Sequence, residues 1–199
     1  MFPEPIQKLI DQLSKLPDIG PRAASRLVFY LINQEQKDLD NLSSLVKNLK
    51  TKIHLCSQCF NITSKDNKLC HICQDQKRDK KTICLVENVL NIIPLEKTKQ
   101  YHGLYYVLGG LISPTDGIGP ENLKIKELIS RIKNDQPTIK EVIFALSPTT
   151  EGDTTLLYIE RLLKSLNIKT TRLGRGLSIG SDLEYIDENT LTNALLGRR

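Results

Sequence analysis

Four cysteines are the residues of this sequence whose type and spacing most clearly predict chemistry. They form two C-x-x-C pairs separated by ten residues, and they are Cys56, Cys59, Cys70 and Cys73. Each pair can turn two thiolates toward one point, and two such turns supply the four ligands of a closed tetrahedral zinc site. Because a closed site leaves no position for water, the spacing predicts a structural Zn²⁺ ion rather than a catalytic one.

Two histidines and a fifth cysteine lie near these pairs. His54 and His71 are left out of the predicted site because four cysteines already complete it. Cys84 falls inside an apolar segment and is expected to be a small buried side chain. The first residues show no secretory leader, and no apolar run has the length of a membrane span. We therefore expect a cytoplasmic protein, with no membrane partner, whose cysteines are ligands or buried thiols rather than disulfides.

A second group of residues lies between two segments of helical periodicity. Residues 16–22, with the sequence LPDIGPR, resemble the hairpin of the helix-hairpin-helix family, which grips DNA phosphates without reading sequence. A hairpin that ends at a helix N-terminus presents free backbone N–H groups and the positive end of a dipole. Gly20 allows close approach of a phosphate, and Pro21 suits the first helical turn. Arg22 and Arg26 lie four residues apart and share one face.

The face opposite the two arginines is apolar. It consists of Ala24, Leu27, Val28 and Leu31. This arrangement predicts that the apolar stripe packs inward while Arg22 and Arg26 face phosphates. Asp18 departs from the family pattern, which usually has glycine there, and its charge weakens the expected grip. An ordinary helical turn is the alternative interpretation.

Three acidic residues follow predicted strands. Glu87 comes after one strand, and Glu151 and Asp153 come after another, so they should meet at one edge of a sheet. This pattern resembles the Toprim fold of topoisomerases, primases and some nucleases, in which a Glu and an Asp-x-Asp pair hold magnesium. Glu151 replaces the first Asp of that pair. The alternative is that these carboxylates are solvated or cap a helix, with Asp153 as an N-cap.

The elements that position these residues divide the chain into four predicted regions. Residues 1–55 have apolar residues at helical spacing, the last helix running through Leu39–Ile53. Residues 56–79 are too short for a core of their own. Residues 80–171 alternate strands with helices, which predicts a parallel or mostly parallel sheet covered on both faces. Residues 172–199 form a tail.

The predicted strands and helices of the third region and the tail have the following bounds. The strands are Thr82–Val86, Gly103–Val107 and Glu141–Leu146, and the helices are Asn122–Lys133, Asp153–Leu166 and a last one near Leu191–Leu196. The net charge of +5 permits an anionic partner without requiring one. Because only 5% of the residues are aromatic and none is Trp, base stacking is not expected to dominate binding.

Longer strings extend the resemblance to essentially the whole chain. They are LEKT at 95–98, YHGLYYVLGG at 101–110, SP at 113–114, DGIGP at 116–120, SPTTEGDTT at 147–155 and LY at 157–158, with TRL, Gly176 and residues 180–185 in the tail. With a helix-hairpin-helix, a four-cysteine zinc finger and a Toprim domain in this order, the chain resembles the RecR family. Tyr106 and Ser178 depart from the family's usual His and Pro.

The resemblance implies an α/β protein with no enzymatic activity and no catalytic residues. Members assemble into ring-like dimers and tetramers through the N-terminal helices and the tail. They act with RecO, and in many bacteria RecF, to load RecA onto gapped, single-stranded DNA. Glu87, Glu151 and Asp153 would then form a docking surface for a basic partner. Two alternatives stay open: a small magnesium-dependent Toprim nuclease, and a protein-interaction scaffold that binds little DNA alone.

Overall fold

The structure is a computed structural model that describes residues 2–135 and 139–198. The chain divides into two compact units, Met1–Lys52 and Ile53–Arg199. Parts of the predicted regions, namely Met1, residues 136–138 and Arg199, lie outside the described residues. Within the described part of the chain, no helix has both the length and the apolar character needed to cross a membrane.

The first unit is helical. It contains α1 (Glu4–Leu13), α2 (Pro21–Ile32) and α3 (Gln36–Lys52). Ile10, Ala24 and Val28 form its buried core, and they come from the apolar faces of α1 and α2. The prediction that the last helix runs through Ile53 is wrong, because α3 ends at Lys52 and the chain passes directly into a strand.

The second unit contains two sheets. Its strands are β1 (Ile53–Leu55), β2 (Ile62–Ser64), β3 (Asp79–Val86), β4 (Gly103–Val107), β5 (Glu141–Ala145) and β6 (Lys169–Arg172). Strands β1 and β2 pair antiparallel, and the other four form a sheet in the order β4-β3-β5-β6. Every pairing in that sheet is parallel, which confirms the predicted sheet type. Strand β6 was not predicted, since its sequence, KTTR, has no apolar residue.

The second unit contains five helices among its described residues, of which the last follows the final strand. They are α4 (His71–Gln74), α5 (Ile92–Lys97), α6 (Ile125–Asn134), α7 (Thr150–Lys164) and α8 (Glu188–Leu196). The predicted start of α6 at Asn122 is wrong because residues 120–122 form a separate 3-10 turn opened by Pro120. The predicted start of α7 at Asp153 is also wrong, because the helix begins three residues earlier. The last helix was placed correctly near the end of the tail.

Both faces of the four-stranded sheet are buried, and neighbouring side chains of a strand point to opposite faces. On the first face, Ile83 and Leu85 of β3 pack with residues of α6 and α7. On the second face, Cys84 and Val86 belong to a core cluster that also contains Ile92, Cys56, Cys59 and Cys70. We call residues 53–74 the finger. The finger has no separate apolar core, as predicted, and shares that of the second face.

Candidate functional site

The two cysteine pairs lie on two turns of the finger. Cys56 and Cys59 lie in the turn that joins β1 to β2. The turn closes where the Phe60 N–H donates to the Cys56 carbonyl at 3.0 Å, and Phe60 adopts a left-handed φ of 60°. Cys70 occupies the N-cap position of α4 without a side-chain capping bond, and Cys73 lies within that helix. Each turn thus brings its two sulfur atoms to the same side of the finger.

The four sulfur atoms converge on one point. All of them lie within 4.8 Å of one another, and Sγ of Cys59 is 3.5 Å from Sγ of Cys70. In a tetrahedral site with Zn–S bonds of about 2.3 Å, neighbouring sulfurs lie about 3.8 Å apart. Three of the cysteines are buried and Cys73 is half-buried. The geometry therefore fits a Zn²⁺ ion, and neither His54 nor His71 joins this group within the described residues.

The thiols of the finger influence one another's ionisation. The hydrogen bond with Cys70 raises the pKa of the Cys59 thiol, and the same bond lowers the pKa of the Cys70 thiol. Four thiolates at this distance repel one another unless a cation neutralises them. A Zn²⁺ ion held by all four would supply that charge and keep each sulfur deprotonated. Cys84 differs, because burial raises the pKa of its thiol to about 12 and keeps it neutral.

The finger is fastened to the edge of the four-stranded sheet. The Val107 N–H of edge strand β4 donates to the Cys59 carbonyl at 2.9 Å. Nη1 of Arg131, in α6, donates to the Gln58 carbonyl at 2.8 Å. These contacts cover a strand edge that would otherwise expose unpaired backbone groups. A zinc ion that orders the finger would therefore also order this edge.

Tyr106 is fully buried. In the family that this sequence resembles, the same position is usually His. The Tyr106 hydroxyl donates to the Lys124 carbonyl at 2.8 Å. Its ring meets Phe60 of the finger edge-on, with 5.5 Å between ring centroids. Burial raises the pKa of Tyr106, so the hydroxyl stays a neutral donor. The larger ring thus fills space beside the finger without an unsatisfied polar group.

The hairpin of residues 16–22 ends at the N-terminus of α2. The Ile19 N–H donates to the Leu16 carbonyl at 3.2 Å and closes the turn, while Asp18 takes a left-handed φ of 61°. A Cβ on Gly20 would meet no atom within 4 Å, so the protein's own packing does not require glycine there. Gly20 also provides no side-chain cap. Residues 20–23 are all exposed, so the unpaired N–H groups at the start of α2 are open to solvent.

The two arginines of α2 lie on its exposed side. Arg22 and Arg26 are both exposed, whereas Ala24 and Val28 are buried, as predicted. The prediction for Leu27 is wrong, because 42% of this residue is exposed. At 100° per residue, Leu27 lies at the border of the narrow stripe that Ala24 and Val28 define. The contact of Gly20, Arg22 and Arg26 with DNA stays a prediction.

Glu87 directly follows β3, at the carboxyl end of the parallel sheet. Its side chain is half-buried, and Oε1 accepts a hydrogen bond from Oγ of Ser147 at 3.0 Å. Ser147 lies in the loop after β5, so the two strand ends are in contact. Glu151 lies on the first turn of α7, which leaves the same loop, and is also half-buried. The sequence correctly placed these residues at the carboxyl ends of neighbouring strands.

The start of α7 depends on Thr149 and Gly152. The Thr149 side chain accepts a hydrogen bond from the Gly152 N–H at 3.1 Å and is the N-cap. The alternative in which Asp153 caps this helix is therefore wrong, because Asp153 lies inside the first turn. A Cβ on Gly152 would lie 2.0 Å from the Ser147 carbonyl oxygen. Glycine is thus required for the loop to approach the helix so closely.

Asp153 is held by an arginine of the tail. Nη1 of Arg175 donates to Oδ2 of Asp153 at 3.0 Å, and Nη2 forms a second, shorter bond to Oδ1. This hydrogen bonding lowers the pKa of Asp153 and raises the pKa of Arg175. Because the Arg175 guanidinium holds both oxygens of Asp153 and neutralises its charge, the acidic residues do not fit a magnesium site. Within the described residues, the four cysteines are the one group of three or more potential ligands whose ligand atoms converge.

Sequence reasoning missed Arg175, Arg131 and Thr149. Arg175 and Arg131 act on partners 22 and 73 residues away in the chain, so no local spacing indicates them. Thr149 did carry a signal, because a Thr just before a predicted helix is a common N-cap. This signal was overlooked because the helix start was predicted from the apolar periodicity, which begins later in the segment.

Four family models match this chain in sequence order. They are the RecR helix-hairpin-helix at residues 6–49, the RecR four-cysteine zinc finger domain at 53–75, the Toprim domain at 81–174 and the RecR C-terminal region at 176–199. Together with the parallel sheet and the cysteine cluster, these matches define a Toprim protein that carries a helix-hairpin-helix and a zinc finger.

Whole-length relatives identify the family. The chain is 49% identical over 195 residues to recombination protein RecR of Chloroherpeton thalassium, covering 97% of this chain and 95% of the relative. It is 47% identical over 197 residues to recombination protein RecR of Staphylococcus saprophyticus, covering 99% and 98%. The corresponding protein of Staphylococcus aureus is 48% identical over the same length and coverage. The chain belongs to the RecR family of recombination proteins.

Proposed function

We propose that this chain is a non-catalytic, DNA-binding clamp of recombinational repair that acts in the cytoplasm. It binds single-stranded and gapped double-stranded DNA and, with RecO and in some bacteria RecF, loads RecA there. The single observation that carries this proposal is the hairpin at the N-terminus of α2. It joins an uncapped, open helix end to two exposed arginines on one face, Arg22 and Arg26.

The proposal divides the work among four regions. Residues 1–55 grip DNA, residues 56–79 hold Zn²⁺, residues 80–171 form the Toprim domain, and residues 172–199 take part in assembly. Apolar residues exposed on α3 and on the tail support self-assembly into dimers and tetramers. They are Leu45, Val46 and Leu49 on α3, and Ile179, Leu183, Tyr185, Leu195 and Leu196 in the tail. Patches of this kind mark surfaces that partners cover.

The DNA contact is tested by the salt dependence of binding. Phosphate contacts release counterions, so removing one such contact lowers the slope of log affinity against log salt by about 0.7 on single strands. We expect Arg22→Ala with Arg26→Ala to weaken binding about tenfold or more at roughly 0.1 M salt. Lys8→Ala, on the exposed side of α1, is the control and should leave the slope unchanged. An unchanged slope in the double variant would show that the hairpin does not grip DNA.

The acidic end of the sheet is proposed as the docking surface for a basic partner such as RecO. Glu151 is the residue to test, because no side-chain contact is seen for it among the described residues and Asp153 is engaged by Arg175. We expect Glu151→Lys to weaken RecO binding, since like charges then face each other. Glu35→Lys, on an exposed loop of the first unit, is the matched control. Unchanged RecO binding by Glu151→Lys would remove this surface from the proposal.

A further inference from the structure

The ion pair between Asp153 and Arg175 joins two regions that the sequence treats separately. Asp153 lies at the carboxyl end of the sheet, where Toprim enzymes hold a divalent cation, and Arg175 lies in the tail. Among the described residues of the tail, none is buried. The described part of the tail therefore contributes no fully buried apolar side chain within this chain, which gives polar contacts a larger share in holding it near the sheet.

We propose that Arg175 is a built-in counter-ion of Asp153, which takes the place of the divalent cation and fastens the tail to the sheet. The two parallel N–H bonds of the guanidinium use both oxygens of the carboxylate. A guanidinium stays charged throughout the physiological pH range, so this neutralisation is permanent while the tail is in place.

The surroundings of Asp153 favour a guanidinium over a metal ion. A divalent cation at Asp153 would have to displace the guanidinium that bridges both carboxylate oxygens or bind beside its positive charge. Glu87 is also engaged, through the hydroxyl of Ser147. Arg172 adds a further positive charge, which acts on Asp153 in the same direction as Arg175. The negative charge of Asp153 is thus already compensated by arginines of this chain, unlike the charge of an acidic cluster that awaits a cation.

The segment that contains Arg175 also supports the last helix. A Cβ on Gly176 would lie 3.9 Å from Ala194 of α8, which shows how closely the helix passes. One backbone bond adds to the attachment, from the Leu173 N–H to the Phe144 carbonyl at 3.1 Å. If the ion pair is broken, we expect the segment beyond Leu173, including α8, to detach more often.

Hydrogen exchange of the zinc-loaded full chain tests the attachment. We expect Arg175→Gln and Asp153→Asn each to speed amide exchange in the tail about fivefold. This factor corresponds to the stabilisation that a bidentate pair gives near the upper end of the range for exposed ion pairs. The double variant should show no further increase, because both changes break the same contact. Arg161→Gln is the control, since it removes an equal charge from α7 two turns away. Unchanged tail exchange in both single variants would overturn the proposal.

Magnesium tests the exclusion of the cation in the same experiment. We expect millimolar Mg²⁺ to leave tail exchange of the unaltered chain unchanged, because Arg175 keeps both oxygens of Asp153 occupied. If Mg²⁺ speeds tail exchange in the unaltered chain but not in Asp153→Asn, the cation displaces Arg175 and the proposal is wrong. The inference goes beyond DNA binding and does not rest on it, so loss of the DNA-binding proposal would leave this result interpretable.

Discussion

Three of the four zinc ligands and Cys84 are buried cysteines, and they differ in what surrounds each sulfur. Cys59 and Cys84 are 1% and 3% exposed. Cys59 has three other sulfurs within 4.8 Å, whereas Cys84 lies in β3 among apolar side chains. Burial alone keeps a thiol neutral, and only a group of sulfurs creates a site for a soft cation. The groups around each sulfur, rather than its exposure, therefore distinguish a metal ligand such as Cys59 from a structural cysteine such as Cys84.

This difference predicts opposite results for two substitutions. Loss of a hydrogen-bond partner of a metal ligand can lower metal affinity about 100-fold. Because Cys59→Ser removes a ligand itself, we expect zinc affinity to fall by more than this. Cys84→Ala should retain one equivalent of zinc, measured by metal analysis of the purified chain. In the unaltered protein, a thiol reagent at pH 8 should also leave Cys84 unmodified, because its pKa is about 12. Full zinc content in Cys59→Ser would contradict the four-cysteine site.

Asp18 combines backbone strain with an unfavourable charge. Its φ of 61° lies in the left-handed region, which costs most L-residues about 1–2 kcal/mol and Asp somewhat less. The side chain is exposed and lies just before the N-terminus of α2, where a phosphate is expected. Glycine, the usual residue of the family pattern here, would remove both effects. The departure thus has a structural cost at this one position.

Replacing Asp18 separates the two effects. Asp18→Gly should raise the free energy of unfolding of the first unit by up to about 1 kcal/mol and tighten DNA binding. Asp18→Ala should tighten DNA binding as well, because it also removes the charge, but should not stabilise the unit. Thermal melting and DNA titration measure the two quantities. A glycine variant that melts at the same temperature would show that the left-handed position is unstrained.

At the scale of elements, α7 is the helix on which the acidic end of the sheet depends. It begins with Thr149 as N-cap, and Gly152 lies against the loop that carries Ser147. Glycine inside a helix costs about 1 kcal/mol relative to alanine. Its presence here is therefore explained by the lack of space for a side chain beside the loop, and not by helix propensity. This close approach sets the position from which Glu151 and Asp153 extend.

Gly152→Ala should therefore be strongly destabilising. The added Cβ would lie 2.0 Å from a backbone oxygen that cannot rotate away, so we expect a loss of about 3 kcal/mol in urea unfolding. Gly174→Ala is the matched control, because its Cβ would meet nothing within 4 Å. We expect that control to change stability by less than about 0.5 kcal/mol. Equal stability of the two variants would contradict the described start of α7.

Local patterns predicted the strands that carry the core but not the contacts between distant residues. Gly103–Val107 was predicted with its observed bounds, because a continuous run of buried residues has a strong signature. Strand β6 was missed, since its polar residues lie at the sheet edge and only tertiary pairing makes it a strand. The helix starts were misplaced where a Thr cap or a proline turn, rather than apolar periodicity, sets the boundary.

The same limit applies to the candidate site. The spacing of the cysteines indicated the zinc centre, because all four ligands lie on two short local turns. The acidic residues were placed at the correct edge of the sheet, yet the partner of Asp153 was not foreseen. Arg175 approaches it from 22 residues further along the chain, and only the folded path of the tail brings the two together.

At the scale of the whole molecule, the zinc finger helps to cover one face of the four-stranded sheet, where helices alone cover the other. In the second unit, α6 and α7 cover one face of the sheet, while the finger and α5 contribute to the other. Because Cys56, Cys59 and Cys70 belong to that second core, zinc and sheet stability are coupled. The first unit has its own small core of Ile10, Ala24 and Val28. Loss of zinc should therefore act on the second unit.

The proposal that the chain binds DNA without cutting it can be tested in one binding reaction. Zinc-loaded protein is mixed with labelled gapped DNA, with and without Mg²⁺, and resolved on a native and a denaturing gel. We predict retarded but intact DNA, with the retardation lost as salt rises. Magnesium-dependent fragments that disappear in Glu87→Gln would contradict the claim and make the chain a nuclease. Absence of retardation at every salt concentration would instead favour the alternative of a protein-interaction scaffold that binds little DNA alone.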